Sequence, residues 1–280
     1  MNLSQILILA IVQGVAELLP VSSSAHVIVA EKLMGLDPTA PAMTLLLVML
    51  HTGTMLAVIA YFWKSWRVTF FDSAQAFRSN GLFVVIATLA TAVVGLALLQ
   101  VIKRVVAAND PGFEVEQLFG NARLMAAALA AAGVLIVLSA RFDRGTGGEL
   151  SWKSAAWIGA VQGLCLPFRG FSRSGATIST GLALGIARRR AEEFSFALAV
   201  VLTPPVIAKE AYRLYKAQGA MALEPGTLWQ LAGPGIAGLI LSFLAGMLAL
   251  RWLTRWLDQG RWHLFGAYCL AASLVVLWVG

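Results

Sequence analysis

Residues 13–26 read Gln-Gly-Val-Ala-Glu-Leu-Leu-Pro-Val-Ser-Ser-Ser-Ala-His, a polar stretch inside an otherwise apolar segment. Gln13 and Glu17 are four residues apart, so they share one face of a helix. Pro20 ends that helix, and one of the serines that follow can cap the next one. The stretch therefore predicts two short helices separated by a polar break.

A second apolar segment, 155–186, is interrupted in the same way at 170–177, which reads Gly-Phe-Ser-Arg-Ser-Gly-Ala-Thr. The two segments resemble each other at Val12–Gly14 and Val161–Gly163, and again at Ser22–Ala25 and Ser172–Gly175. Each piece is too short to cross a membrane alone. Because broken backbone at membrane depth is tolerated only where it is buried in protein or lines a cavity, both segments are predicted to be re-entrant hairpins.

The composition indicates that most of the chain lies in lipid. Of its 280 residues, 59% are hydrophobic and 12% are charged, and the mean hydropathy is +0.79, whereas soluble domains carry about 25% charged residues. The net charge of +7 comes from short basic runs between apolar segments, which indicates membrane topology rather than a nucleic-acid partner. Cys165 and Cys269 have no metal-type spacing and predict no disulfide framework.

Six further segments approach the roughly 20 apolar residues that a full membrane span needs: Met43–Trp63, Leu82–Val101, Leu124–Ala140, Phe194–Ala208, Leu228–Leu250 and Leu264–Val279. Each half of the chain then holds one hairpin followed by three spans. Three is odd, so the second half starts on the opposite side of the membrane. The predicted fold is an all-α polytopic membrane protein, a single domain over 1–280, built as an inverted repeat with halves at about 1–145 and 150–280.

The basic residues predict the orientation. On the side opposite the N-terminus lie Lys64, Arg67, Arg78, Arg141, Arg144, Lys153, Arg188, Arg189, Arg190, Arg251, Arg255 and Arg261. The N-terminal side holds fewer: Lys32, Lys103, Arg104, Arg123, Lys209, Arg213 and Lys216. Because cytoplasmic loops carry the excess of Lys and Arg, both termini are predicted to be periplasmic. The run Arg188–Arg190 is interpreted as a solvated cytoplasmic anchor.

Ionisable side chains inside a membrane are costly, by about 2.5–3.5 kcal/mol each on insertion scales, and therefore indicate function. The apolar segments contain five of them: Glu17, His26, His51, Arg169 and Arg173. Four of the five lie in the two broken segments. His51, which lies in a predicted span, is interpreted as a packing histidine.

The first hairpin brings a carboxylate, hydroxyls and an imidazole together. Ser22 or Ser23 can cap its second helix, and His26 then lies one turn inside that helix, where it can face the same cavity as Glu17.

The second hairpin has the composition of an anion site. Ser172, Ser174 and Gly175 surround a helix start, where backbone N–H groups can approach an anion closely. Arg173 is a permanently charged, forked donor that suits phosphate oxygens, and Thr177 follows on the same face. Two such helix starts meeting near the midplane would hold a diphosphate and leave a prenyl tail in lipid.

These residues resemble a known family. Gln13, Glu17 and 19–26 resemble the first signature of the undecaprenyl-diphosphate phosphatase (bacitracin-resistance) family, and 170–177 resembles the second. The resemblance extends over nearly the whole chain. It implies an inner-membrane enzyme that hydrolyses undecaprenyl diphosphate, recycles the lipid carrier of cell-wall synthesis, and opens its site toward the periplasm. It also implies that Glu17, Ser23, His26 and Arg173 are the main catalytic positions.

The sequence departs from the family pattern at two places. Arg169 stands where the family commonly has proline, and it either strengthens phosphate binding or faces a water-filled vestibule. The pair Tyr268-Cys269 stands where the family often shows Tyr-Arg.

The predicted mechanism begins with attack by Ser23 on the terminal phosphorus, with Glu17 or His26 taking its proton. Arg173 and the N–H groups of 172–175 would stabilise the transferred phosphoryl group. Direct attack by water is the alternative, and a divalent cation, Mg²⁺ or Ca²⁺, could bridge Glu17 and the diphosphate. Gln13, Ser22, Ser172, Ser174, Gly175 and Thr177 are the predicted substrate-binding residues.

Two other readings remain open. Arg173 could be only a salt-bridge partner of Glu17. Inverted repeats with broken helices also build transporters, so a transporter or flippase for a lipid phosphate or another anion is the main alternative function. A serine beside a base distinguishes the two, since transport needs no nucleophile. The sequence leaves a homodimer open.

Overall fold

The computed structural model describes residues 2–37, 41–107, 121–143, 147–218 and 225–279. These residues form ten helices and no strand: α1 (Leu3–Leu18), α2 (Ser23–Leu33), α3 (Pro41–Phe71), α4 (Ala74–Ala107), α5 (Ala122–Phe142), α6 (Trp152–Leu164), α7 (Arg173–Ala183), α8 (Arg188–Gln218), α9 (Pro225–Asp258) and α10 (Trp262–Val279). The predicted all-helical membrane class is confirmed.

Six helices are long and apolar enough to cross a membrane, namely α3, α4, α5, α8, α9 and α10. They coincide with the six predicted spans and extend beyond most of them. The helix α3, for example, continues through Lys64 and Arg67 to Phe71, because basic residues at a span's end keep good helix propensity. Of the bases used for the orientation, Arg144 lies outside the described residues, as do the side chains of Arg213 and Lys216.

The other four helices form two pairs of short helices. The helices α1 and α2 have 16 and 11 residues, and α6 and α7 have 13 and 11. At about 1.5 Å per residue, none matches the roughly 30 Å hydrocarbon core. The members of each pair pack on each other. The Ala187 N–H donates to the Gly148 carbonyl (3.0 Å), which brings the two ends of the α6–α7 pair together.

Capping explains where the first helix of each pair begins. Asn2 and Gln5 form a capping box at the start of α1, and Ser151 and Ser154 form one at the start of α6. These boxes satisfy backbone donors that would otherwise lack partners. The two outer ends are therefore built alike.

The second helices begin differently. The Ser172 side chain caps α7 by accepting from the Gly175 N–H at 3.2 Å. Ser22 occupies the N-cap position of α2, but its side chain makes no capping bond and its backbone lies at φ +65°. The prediction that a serine side chain caps α2 is therefore wrong. Left-handed backbone is unfavourable for a residue with a Cβ, so strain is concentrated at this break.

Helices of the first half of the chain pack on helices of the second half. The short helix α1 packs on α9, and α6 packs on α4; likewise α3 packs on α9 and α8 on α4. The α6–α4 contact is so close that a Cβ at Gly159 would lie 2.1 Å from the Ala87 carbonyl oxygen. At Gly14, a Cβ would lie 2.7 Å from Ala245 on α9. Glycine therefore sets the approach at both contacts.

The basic run at the start of α8 is paired rather than merely solvated. Arg188 Nε lies 2.7 Å from Asp143 Oδ2, and Arg189 Nη2 lies 2.7 Å from Asp258 Oδ2. Arg190 bonds the Asn80 side chain. The Arg189 side chain is solvated as predicted, at 70% exposed, whereas those of Arg188 and Arg190 are partly buried. The three join α8 to the ends of α4, α5 and α9, and the role of the run as a cytoplasmic anchor stays a prediction.

Candidate active site

A cavity of about 260 Å³ lies between the two breaks. Its walls come from the end of α1, the break before α2, α3, α6, the break before α7, and α8. Six of the predicted site residues line it: Glu17, Ser22, Ser23, Ser172, Arg173 and Ser174. The two polar breaks, far apart in sequence, are thus brought to one chamber.

The Glu17 carboxylate accepts hydrogen bonds from three side chains at this chamber. Its Oε2 accepts from Ser23 Oγ at 2.6 Å and from Gln13 Nε2 at 3.2 Å. Its Oε1 accepts from Arg173 Nη2 at 3.1 Å. The prediction that Gln13 binds substrate differs from this geometry, since Gln13 is buried, lies outside the cavity wall, and holds the carboxylate instead.

The Ser23–Glu17 contact has the geometry of a nucleophile and its base. A distance of 2.6 Å is typical of a hydroxyl donating to a carboxylate. The carboxylate is therefore placed to take the serine proton as the oxygen attacks.

Arg173 has one guanidinium nitrogen to spare. While Nη2 bonds Glu17, Nη1 is buried and has no hydrogen-bond partner in the described part of the chain. A buried charged donor without a partner is costly, and a phosphate oxygen would satisfy it. The pairing with Glu17 therefore leaves one nitrogen of Arg173 available for a second partner.

The second break supplies fewer anion donors than predicted. The Gly175 N–H is already bound by Ser172 Oγ, and a Cβ at Gly175 would lie 3.0 Å from Ile136. Thr177 Oγ1 bonds Ser195 Oγ at 2.6 Å and is fully buried. Neither residue lines the cavity, so this geometry does not favour phosphate binding by Gly175 and Thr177, which stays a prediction. Both pack α7 against its neighbours.

Ser174 ties the two breaks together. Its Oγ donates at 3.2 Å to the carbonyl of Leu19, which lies between α1 and α2. The backbone N–H groups of Arg173 and Ser174, in the first turn of α7, have no intrahelical acceptor. They are the anion donors that remain at this helix start.

His26 does not line the cavity. Its Nδ1 lies 2.8 Å from the Ser22 carbonyl, and its Nε2 lies 2.8 Å from the Tyr268 hydroxyl. A carbonyl only accepts, so Nδ1 carries the proton and the Tyr268 hydroxyl donates to Nε2. Both ring nitrogens are engaged, so the geometry does not match the predicted proton transfer with Ser23. It suits a ring that holds the strained Ser22 carbonyl in place.

Three residues of the site were missed or misread from the sequence. His51 lines the cavity with Nε2 at 3.9 Å from Glu17 Oε2, so it is not merely a packing histidine; its ionisable ring inside a span was the available signal. Gln162 lines the cavity, and its match to Gln13 in the repeat was the signal. Tyr268 gave no signal of its contact with His26.

Glu17 is the one carboxylate among the described residues that line the cavity. No three His, Cys, Asp or Glu side chains are grouped to hold a metal in the described parts of the chain. A hard cation there would take Glu17 as its carboxylate ligand and most other oxygens from diphosphate and water, which is how Mg²⁺ is commonly bound.

The chain is similar to known proteins over nearly its whole length. Residues 6–275 match the family model described as bacitracin resistance protein BacA. An undecaprenyl-diphosphatase 2 of Acinetobacter baylyi is 62% identical over 99% of this chain and 98% of that protein. An undecaprenyl-diphosphatase of Desulfosudis oleivorans is 34% identical over 98% and 97%, and one of Korarchaeum cryptofilum is 30% identical over 99% of each. The chain belongs to the bacitracin resistance protein BacA family.

Proposed function

We propose that this chain is an integral-membrane phosphatase that hydrolyses undecaprenyl diphosphate to the monophosphate and inorganic phosphate. It thereby recycles the lipid carrier of cell-wall synthesis and confers resistance to bacitracin. The observation that carries the proposal is the Ser23 hydroxyl bound to the Glu17 carboxylate, beside an Arg173 nitrogen that has no hydrogen-bond partner among the described residues.

The chemistry follows from these contacts. Ser23 Oγ attacks the terminal phosphorus, and Glu17 takes its proton. The bond to the bridging oxygen breaks, and polyprenyl monophosphate leaves with the electron pair. Arg173 and the first N–H groups of α7 stabilise the charge on the transferred phosphoryl group. Glu17 passes the serine proton to the departing monophosphate or to solvent and is a carboxylate again. Water then attacks the phosphoserine, Glu17 takes one of its protons, and that proton goes to Ser23 Oγ as the phosphate is released. In the alternative scheme water attacks the diphosphate directly, with Glu17 as base.

The roles within the site are divided as follows. Glu17, Ser23 and Arg173 are the catalytic residues, and Ser22, Ser172 and Ser174 line the place of the phosphates. Gln13 and His26 act as positioning residues, on Glu17 and Ser22 respectively. The proposal includes a divalent cation, which Glu17 would hold as its carboxylate ligand and which would neutralise charge on the diphosphate. It also includes a homodimer.

The fold that we propose for this site is the inverted repeat over 1–145 and 150–280, with α1–α2 and α6–α7 as re-entrant hairpins. Exchanging the halves maps α1 onto α6, α4 onto α9 and α3 onto α8. The observed contacts α1–α9 and α6–α4 are exchanged by this mapping, and so are α3–α9 and α8–α4. This pairing supports the repeat. With six spans and two returning hairpins, both termini lie on one side, which the basic residues assign to the periplasm.

The test is phosphate release from undecaprenyl diphosphate by the purified protein in detergent. Ser23→Ala removes the nucleophile, and Arg173→Ala removes the charge that stabilises the phosphoryl group. Each is expected to lower turnover by roughly 10²–10³-fold or more. Ser273→Ala is the matched control, because the Ser273 hydroxyl bonds only its own helix at Leu270.

Rapid quenching separates the two schemes, since a phosphoserine at Ser23 belongs to the covalent one alone. Absence of phosphate release from the wild type, with and without Mg²⁺ or Ca²⁺, would overturn the phosphatase and leave the transporter or flippase as the function to test.

A further inference from the structure

Gln162 is a cavity-lining side chain to which the steps above give no role. It lies on α6 and is 1% exposed. Its Nε2 donates to Thr91 Oγ1 on α4 at 3.0 Å. Its Oε1 is buried and has no hydrogen-bond partner among the described residues.

Thr91 fixes which end of the amide is left over. The Thr91 hydroxyl has a single proton, and it is directed at the carbonyls of Ala87 (2.8 Å) and Gly159 (2.9 Å). The oxygen can therefore only accept from Gln162. The amide nitrogen must face Thr91, so the unpaired atom is the oxygen acceptor.

The equivalent glutamine of the first half is different. Gln13 Nε2 donates to Glu17, inside the protein. Gln162 thus differs from Gln13 in the partner of its amide nitrogen, and its buried oxygen has no hydrogen-bond partner among the described residues. A buried acceptor without a partner is costly, and a donor on a molecule that enters the chamber would satisfy it.

The chemistry of the chamber restricts what that group is. Arg173 lines the same cavity, and its buried Nη1 is a donor for anionic oxygens that has no hydrogen-bond partner among the described residues. An amide oxygen repels an unprotonated phosphate oxygen, so the atom that binds it must carry a proton. In the hydrolysis of a phosphate ester or anhydride, the attacking water is such a group.

We infer that Gln162 binds and orients the attacking water of the hydrolytic step. One water proton is directed to Gln162 Oε1, and the other passes to the carboxylate of Glu17. The water oxygen forms the new bond to phosphorus, and the leaving oxygen departs with its electron pair. When the leaving oxygen is Ser23 Oγ, Glu17 returns the proton to it, and when it belongs to the lipid monophosphate, the proton passes to that group or to solvent. Thr91 is the positioning residue that orients the amide. The inference rests on the proposed phosphatase function.

The first test compares Gln162→Leu with the wild-type protein on undecaprenyl diphosphate. Misplacing a reacting group by about 1 Å costs roughly 10²-fold, so kcat is expected to fall by roughly that factor with KM little changed. Thr91→Val, which leaves the amide free to turn, is expected to lower kcat in the same direction, and Thr91→Ser, which keeps the hydroxyl, to retain it. This pair tests the inference even if Gln162→Leu folds poorly.

A second readout is the choice between nucleophiles. In the presence of methanol, phosphoryl transfer gives methyl phosphate as well as phosphate. An attacking water has a second proton for Gln162 Oε1, whereas methanol has a single proton, which Glu17 takes. Removing Oε1 in Gln162→Leu should therefore slow attack by water more than attack by methanol and raise the ratio of methyl phosphate to phosphate. A structural defect alone lowers both products together and leaves the ratio unchanged.

An unchanged kcat in Gln162→Leu would overturn the inference. If inhibition by inorganic phosphate were also weaker in that variant, Oε1 would instead accept a hydrogen bond from the hydroxyl of the phosphate product. Both results leave the wild-type phosphatase intact, whereas failure of the proposed function itself would appear as a wild-type protein that releases no phosphate.

Discussion

At the scale of single residues, hydrogen bonds join Ser23 and Arg173 to Glu17. The sequence singles these three residues out because polar and ionisable groups in an apolar segment have few structural explanations. The contact of His26 with Tyr268 could not be predicted, because the two residues are 242 positions apart. Arg169 does line the cavity, and its effect on phosphate binding stays a prediction.

The prediction at this scale concerns His26. Asparagine can place an amide N–H near the position of Nδ1 and still hold the Ser22 carbonyl, but it cannot act as a base. We expect His26→Asn to keep kcat within about 10-fold of wild type, the size of one hydrogen bond, and His26→Ala to lose more. Phosphate release under saturating substrate measures this.

If His26 were the general base, asparagine and alanine would instead fail alike, by roughly 10²–10⁴-fold. Equal large losses in the two variants, with unchanged melting temperatures, would return the catalytic role to the imidazole.

At the scale of helices, apolar length predicted all six spans, because a helix in lipid must satisfy its backbone internally and be long enough to cross. The polar breaks predicted the two short pairs. What the sequence did not give was the neighbour of each helix. Gly159 and Gly163 are ordinary glycines in the sequence, yet both let α6 approach the backbone of α4.

We therefore expect Gly159→Ala to push α6 away from α4, since the new Cβ would meet backbone atoms of Ala87. Overpacking of this kind costs about 1–3 kcal/mol, so the melting temperature in detergent should fall. Activity should fall too, because Gln162 and the second break belong to the same hairpin.

Gly81→Ala is the matched control for this change. Gly81 lies in α4, and a Cβ there would meet nothing within 4 Å. Alanine has the higher helix propensity, so this variant should melt at or above the wild-type temperature. A Gly159→Ala protein as stable and active as the control would contradict the close-contact explanation.

At the scale of the whole molecule, the two halves are interleaved rather than placed side by side. Each short first helix packs on a span of the other half, and the paired arginines of α8 join α4, α5 and α9 at one end. The sequence repeat predicted two equivalent halves, but the exchange of partners depends on tertiary packing that a motif does not encode.

The prediction for the whole molecule is its orientation. Alkaline phosphatase fused after Val279 should be active, because that enzyme matures only in the periplasm, and green fluorescent protein fused there should stay dark. The control fusion point is Phe142, at the end of α5, where the outcomes should be reversed. Fluorescence at the C-terminus would place both termini in the cytoplasm and the basic loops outside.

Ser22 shows how folding and catalysis can ask for different residues. Its left-handed backbone costs about 1–2 kcal/mol for a residue with a side chain, a cost that glycine would largely avoid. The chain nevertheless carries a hydroxyl at the wall of the chamber, with the adjoining carbonyl held by His26. Selection for thermal stability alone would favour glycine at this position. The serine therefore keeps its hydroxyl at the wall of the chamber at a cost in the stability of the folded protein.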